Sequence, residues 1–133
     1  MALRDQVTGL SHIGNRVHEL ARSRAFYELL GFEFTWGPSG PENVCALRHR
    51  SGLEINLIVN APSAVEPNIL MDVPDKHADI THIALQIEAI VEVETALKSA
   101  GVAITGNAAS THYSCVTPTA TSSNSLRTEK GRF

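Results

Sequence analysis

Residues 10–34, LSHIGNRVHELARSRAFYELLGFEF, and residues 80–104, ITHIALQIEAIVEVETALKSAGVAI, are two versions of one pattern. Laid over each other without a gap at an offset of 70, Leu10 meets Ile80, His12 meets His82, Ile13 meets Ile83, Val17 meets Ile87, Leu20 meets Ile90, Gly31 meets Gly101 and Phe32 meets Val102. Self-similarity at a fixed offset marks a duplicated supersecondary unit. Each copy opens with a strand, Leu10 to Val17 and Ile80 to Ile87, where β-branched and aliphatic residues dominate and side chains two apart share a face. His12 and Arg16 are therefore expected on one face. A helix follows in each copy, with an apolar stripe of Ala21, Ala25, Phe26, Leu29 and Leu30 in the first and Val93, Ala96, Leu97 and Ala100 in the second. Gly31 and Gly101 stand where those helices should stop, since glycine takes the left-handed closing conformation without a Cβ penalty.

Outward from the first copy, three further strands are legible as FEFTW, VCALRH and LEINLIV, divided by GPSGPEN and the turn RSG. The unit reads β-α-β-β-β. The predicted fold is α+β, two copies of this unit in a single domain spanning residues 1–133. Module 1 covers about 8–60, a linker rich in Pro, Asn and Asp covers 61–79, module 2 covers about 80–110, and an atypical tail covers 111–133.

Composition bounds the partners. With 133 residues and 43% hydrophobic content the chain suits one globular domain. Its 11 basic and 14 acidic residues, net charge −3 and lack of charge runs give no footprint for nucleic acid. The apolar runs are short and strand-like, and MALRDQVTGL lacks the features of a signal peptide, so no membrane partner and a cytoplasmic location are expected. Two cysteines, Cys45 in a core strand pattern and Cys115 in the tail, suggest neither a disulfide framework nor a thiolate metal site.

The chemistry rests on three residues. A lone histidine in a strand implies nothing, but here it recurs at one position of both copies; if the two strands run side by side, His12 and His82 face one another across a cleft. Glu54 places a carboxylate within an apolar strand, where an unpaired charge is costly and calls for a partner. Two imidazoles and a carboxylate form a nitrogen and oxygen donor set suited to Zn, Ni, Co, Fe or Mn.

At these residues the chain resembles the vicinal oxygen chelate superfamily, which includes glyoxalase I, bleomycin resistance proteins, fosfomycin thiol transferases, methylmalonyl-CoA epimerase and extradiol dioxygenases. SHIGNRV, SRAFYELLGFEF, LEINLIV and THIALQI carry the resemblance and span most of residues 9–105. It implies two βαβββ modules forming a curved mixed sheet around a cleft, with a divalent metal held there by His12, Glu54 and His82 and a fourth ligand, a glutamate, on the last strand of the second module. It implies a metal-dependent lyase or isomerase, resembling a lactoylglutathione lyase, acting on a small substrate with vicinal oxygens. There the metal would stabilise an enediolate while Glu54 moves the proton. Arg16, four residues after His12, matches an arginine that holds a glutathione carboxylate in glyoxalase I, whereas Ile58 stands where an asparagine is expected. A metal-free drug-binding protein and a non-haem iron dioxygenase are the alternative readings. A homodimer is expected, because an open curved sheet leaves edges that relatives cover with a second subunit.

The tail departs from the pattern. Carried by the same offset, the fourth ligand falls on Asn124, within TSSNSL, and the apolar strand expected there is replaced by serine and threonine. If each new codon takes the third base of one residue and the first two of the next, residues 112–125 permit LFVRDPDGNVIEF, with its Glu codon straddling Ser123 and Asn124. A frameshift, in the gene or in its record, is the reading preferred here over a natural polar tail. On it the last strands of module 2 are disrupted and activity is impaired.

Overall fold

The computed structural model describes residues 2–62, 67–70, 72–80 and 82–104, and the strand backbones of residues 112–116 and 125–130. The chain divides into two compact units, Met1–Pro62 and Ser63–Phe133.

In the first unit a four-stranded mixed sheet carries one helix. The elements run β1 (Ile13–Arg16), α1 (Leu20–Leu29), β2 (Phe32–Ser39), β3 (Val44–His49) and β4 (Glu54–Ile58), in the spatial order β1-β4-β3-β2. The βαβββ order expected of module 1 is thus present. β1 runs parallel to β4, with Ile13 beside Ile55 and Asn15 beside Leu57. β3 and β4 form an antiparallel hairpin in which Arg48 faces Glu54 and Ala46 faces Asn56.

Period-two alternation decides which face each side chain takes. Asn15 of β1 and Val17 just after it, Ile55 and Leu57 of β4, Cys45 and Leu47 of β3, and Phe32 of β2 are all buried. α1 covers this face: the Asn15 side-chain amide donates to the Tyr27 hydroxyl at 3.0 Å, and Tyr27 meets Phe26 and Phe32 edge-on with centroids 5.3 and 5.7 Å apart. Each such side chain contributes about 1.5–3 kcal/mol by leaving water. The buried stripe of α1 is Ser23, Phe26 and Tyr27, whereas Ala21, Ala25 and Leu29 are exposed. The stripe expected from sequence is therefore displaced, because the bulky Tyr27 turns inward and orients the helix around its own hydroxyl contact. Gly31 has φ +86° and closes the helix as anticipated.

β2 carries irregularities on either side of Trp36. Within them Gly37 has φ +105°, and a Cβ there would lie 2.4 Å from the Val44 carbonyl oxygen. Only glycine fits.

The second unit repeats the plan. β5 (His82–Ile87) leads into α2 (Ile90–Ser99), which ends at Gly101 with φ +74°. The tail contributes β6 (His112–Val116) and β7 (Ser125–Lys130), in the order β5-β7-β6. β5 is parallel to β7, and β6 is antiparallel to it. Strands expected to be disrupted are thus present as backbone, and the serine- and threonine-rich residues 117–124 between them lie outside the described residues. Among the described residues, this sheet reproduces β1, β4 and β3 in the same order and sense. Before it, the linker forms side-chain-assisted turns: the Leu70 amide donates to Asn68 Oδ1 and the Asn68 amide donates to Asp72 Oδ2, each at 2.9 Å.

Candidate functional site

The helix-free face of the first sheet collects the polar residues singled out in the sequence. His12, Gly14 and Arg16 are exposed, while the alternating Asn15 and Val17 are buried, so the shared face expected for His12 and Arg16 is present. Glu54 and Asn56 alternate with buried Ile55 and Leu57 in the same way. Because Ile13 pairs with Ile55, the residues one step earlier, His12 and Glu54, lie side by side at the same end of two parallel strands.

His12, Glu54 and Arg16 each have a partner. Ser11 Oγ lies 3.1 Å from His12 Nδ1. In the tautomer where Nδ1–H donates to that hydroxyl, Nε2 keeps its lone pair for another acid. Glu54 accepts a hydrogen bond from Arg48 at 2.9 Å, directly across the hairpin. The carboxylate that called for a partner thus has one on the neighbouring strand, and its side chain keeps 22% of its exposure. Arg16 lies 3.6 Å from Glu42, which also accepts from the Asn60 side-chain amide. Arg48, Glu42 and Asn60 were not anticipated. For Arg48 a signal existed, since Arg48 and Glu54 are equidistant from Ser51 at the centre of a tight turn, where opposite charges become cross-strand neighbours.

His82 opens β5 in the second unit, as His12 adjoins β1 in the first, and it is exposed. Beside it on β7 the register places Ser125. This is the position that Glu54 holds next to His12, one residue beyond Asn124, which lies outside the described residues. Among the described residues there is no cluster of three or more His, Cys, Asp or Glu able to enclose a metal. The three-donor set read from the sequence takes two residues from the first unit and one from the second. In donor chemistry that set suits a divalent first-row metal: borderline imidazole nitrogens and one carboxylate, two of them adjacent and solvent-accessible.

Cys45 belongs to the core and not to this face. It is fully buried, and that burial pushes its thiol above the ordinary value, with the Arg24 guanidinium partly opposing the shift.

No protein-family model and no curated protein matches the sequence. Solved structures do match. The fosfomycin resistance protein FosX from Listeria monocytogenes aligns over 96% of this chain and 94% of its own, with a TM-score of 0.71 and 17% identity. The chain has the vicinal oxygen chelate fold. Other proteins with the vicinal oxygen chelate fold align over nearly their whole length. A glyoxalase family protein from Enterococcus faecalis covers 92% of this chain and 98% of its own, with a TM-score of 0.67 and 19% identity. A glyoxylase/bleomycin resistance protein/dioxygenase domain from Frankia sp. EAN1pec covers 95% and 99%, with a TM-score of 0.67 and 17% identity. A mutant of the Listeria FosX, at TM-score 0.70, 16% identity and coverage of 96% and 95%, was solved with Mn(II) and 1S,2S-dihydroxypropylphosphonic acid. Among the described residues, no helix of this chain is long and apolar enough to cross a membrane.

Proposed function

We propose that the two units form one domain whose His12, Glu54 and His82 hold a divalent metal, and that the protein is a metal-dependent lyase or isomerase acting on a small substrate with vicinal oxygens. The observation that carries this reading is the side-by-side placement of His12 and Glu54 on the helix-free face, repeated by His82 at the start of β5. That a protein of the same fold was solved with Mn(II) and a vicinal diol supports it.

Bound there, a divalent cation supplies Lewis-acid stabilisation of charge developing on a substrate oxygen. The chain's own groups do the rest. Glu54, the only carboxylate of the set, accepts the proton moved during the reaction. Arg16, exposed on the same face two strand positions beyond Gly14, holds an anionic group of the substrate through its guanidinium. Ser11 fixes the His12 ring so that Nε2 faces outward.

A second reading is favoured by one observation: Arg48 already satisfies Glu54 and Glu42 already satisfies Arg16, as in a binding protein that needs no metal. Calorimetric titration with Mn(II) and Zn(II) separates the two. On the metal reading the native protein binds one ion per chain, and His12→Ala, Glu54→Gln and His82→Ala each weaken binding by about tenfold or more. Equal affinity in all four proteins, or no binding by the native chain, would leave the metal-free reading standing.

A further inference from the structure

We infer that Arg48 is a switchable substrate-binding residue, which holds the Glu54 carboxylate before metal binds and an acidic group of the substrate afterwards. The inference rests on the metal reading of Glu54 proposed above.

Arg48 and Glu54 are register partners on adjacent antiparallel strands, and their side chains meet on the helix-free face through a single hydrogen bond of 2.9 Å. On its other side Glu54 adjoins the end of β1, where His12 stands. Glu54 therefore has a guanidinium paired to it from one neighbouring strand and His12 at the adjoining end of the other. A cation drawn in by His12 and Glu54 would compete with Arg48 for the same oxygens, because a carboxylate that donates its lone pairs to a metal has less to offer a guanidinium, and two cations crowded on one carboxylate repel.

Displacing Arg48 does not require it to leave the face. Its side chain is 65% exposed and, among the described residues, anchored by this one contact, so it can swing on its flexible stem while the fork stays near the donor pair. A freed guanidinium presents two parallel N–H donors, the geometry that matches a carboxylate or phosphonate. The substrate that fits carries an acidic group close to its vicinal oxygens, with the oxygens toward His12 and Glu54 and the acid toward β3. Arg16, at the far end of β1 and held by Glu42, is less well placed for an acid attached directly to the chelating carbons.

Two ligands respond in opposite directions to one substitution, which a structural role for the pair would not produce. The test is calorimetry on native, Arg48→Met and Glu54→Gln proteins, first with Mn(II) alone and then with 1S,2S-dihydroxypropylphosphonic acid on the Mn(II)-saturated forms. Arg48→Met should bind Mn(II) about threefold to tenfold more tightly than native, because the competitor for Glu54 is gone. It should bind the phosphonate about tenfold or more weakly, because the fork is gone. Arg48→Lys, which keeps the charge but loses the fork, should recover less than half of the lost phosphonate affinity on a logarithmic scale. Unchanged or weaker Mn(II) binding in Arg48→Met overturns the inference, as does unchanged phosphonate binding. Failure of the metal reading is separately visible, as Mn(II) affinities equal in native and Glu54→Gln proteins.

Discussion

Asn56 Oδ1 is buried and, among the described residues, accepts no hydrogen bond, on the same face and strand as Glu54. An orphaned buried acceptor costs about 1–3 kcal/mol, so Asn56→Leu, close in volume and without polar atoms, should raise thermal stability by roughly 1 kcal/mol. Thermal melting followed by circular dichroism checks this, and a lowered midpoint would show that the amide is structurally required. The buried pair on the opposite face behaves in the reverse sense. Tyr27→Phe removes the hydroxyl that accepts from Asn15 and should cost about 1–3 kcal/mol in chemical denaturation, as the amide loses that acceptor inside the core. Cys45 offers a chemical check at the same scale. Its thiol is buried and its ionisation is displaced upward by burial, so the neutral form is favoured in the folded state. The thiolate forms more readily in the unfolded chain, so this group's contribution to stability is complete below the ordinary thiol range and declines as pH rises through and above it. Alkylation of Cys45 by iodoacetamide at pH 8 should be slow in the native protein and fast in denaturant.

At the scale of elements, the duplicated pattern made much of the fold legible. β3 coincides with VCALRH, β4 with the centre of LEINLIV, and both helices end at the glycines read as their stops. The reason is physical: alternation, helical spacing and glycine closure are local signals written within a few residues. What the sequence did not disclose depended on register or side-chain competition. The stripe of α1 was misplaced because the alanines had no bulk with which to compete against Tyr27 for the core. Of the site, His12 and Glu54 were singled out as candidate donors and lie on neighbouring strands, whereas Arg48, paired with Glu54, and Glu42, paired with Arg16, emerge only once strands are paired. β2 supplies the element-scale prediction. Gly37 combines φ +105° with a Cβ position 2.4 Å from backbone oxygen, so Gly37→Ala should destabilise by about 2–4 kcal/mol, read as a lowered denaturation midpoint. Gly40, at φ +72° with open space around it, should tolerate alanine at a cost of about 1 kcal/mol.

For the whole molecule, the proposals are one domain from two units, a homodimer and a cytoplasmic location. Light scattering at micromolar concentration should give twice the chain mass, and a monomer would contradict the dimer. The DNA decides the tail: codons 112–125 should spell LFVRDPD[GR]NVIEF in the shifted frame, and any other spelling ends the frameshift proposal. If they do, the protein made from the restored frame should exceed this one in metal occupancy and melting temperature. A further consequence lies in the pairing of β5 with β7. Because Ser125 stands beside His82 as Glu54 stands beside His12, the second half of the molecule already provides the backbone address for another oxygen donor, whatever residue occupies it. Ser125→Glu is therefore a graft that leaves the reading frame untouched, and it would turn two unlike halves into matching ones, each offering an imidazole and a carboxylate from adjacent parallel strands.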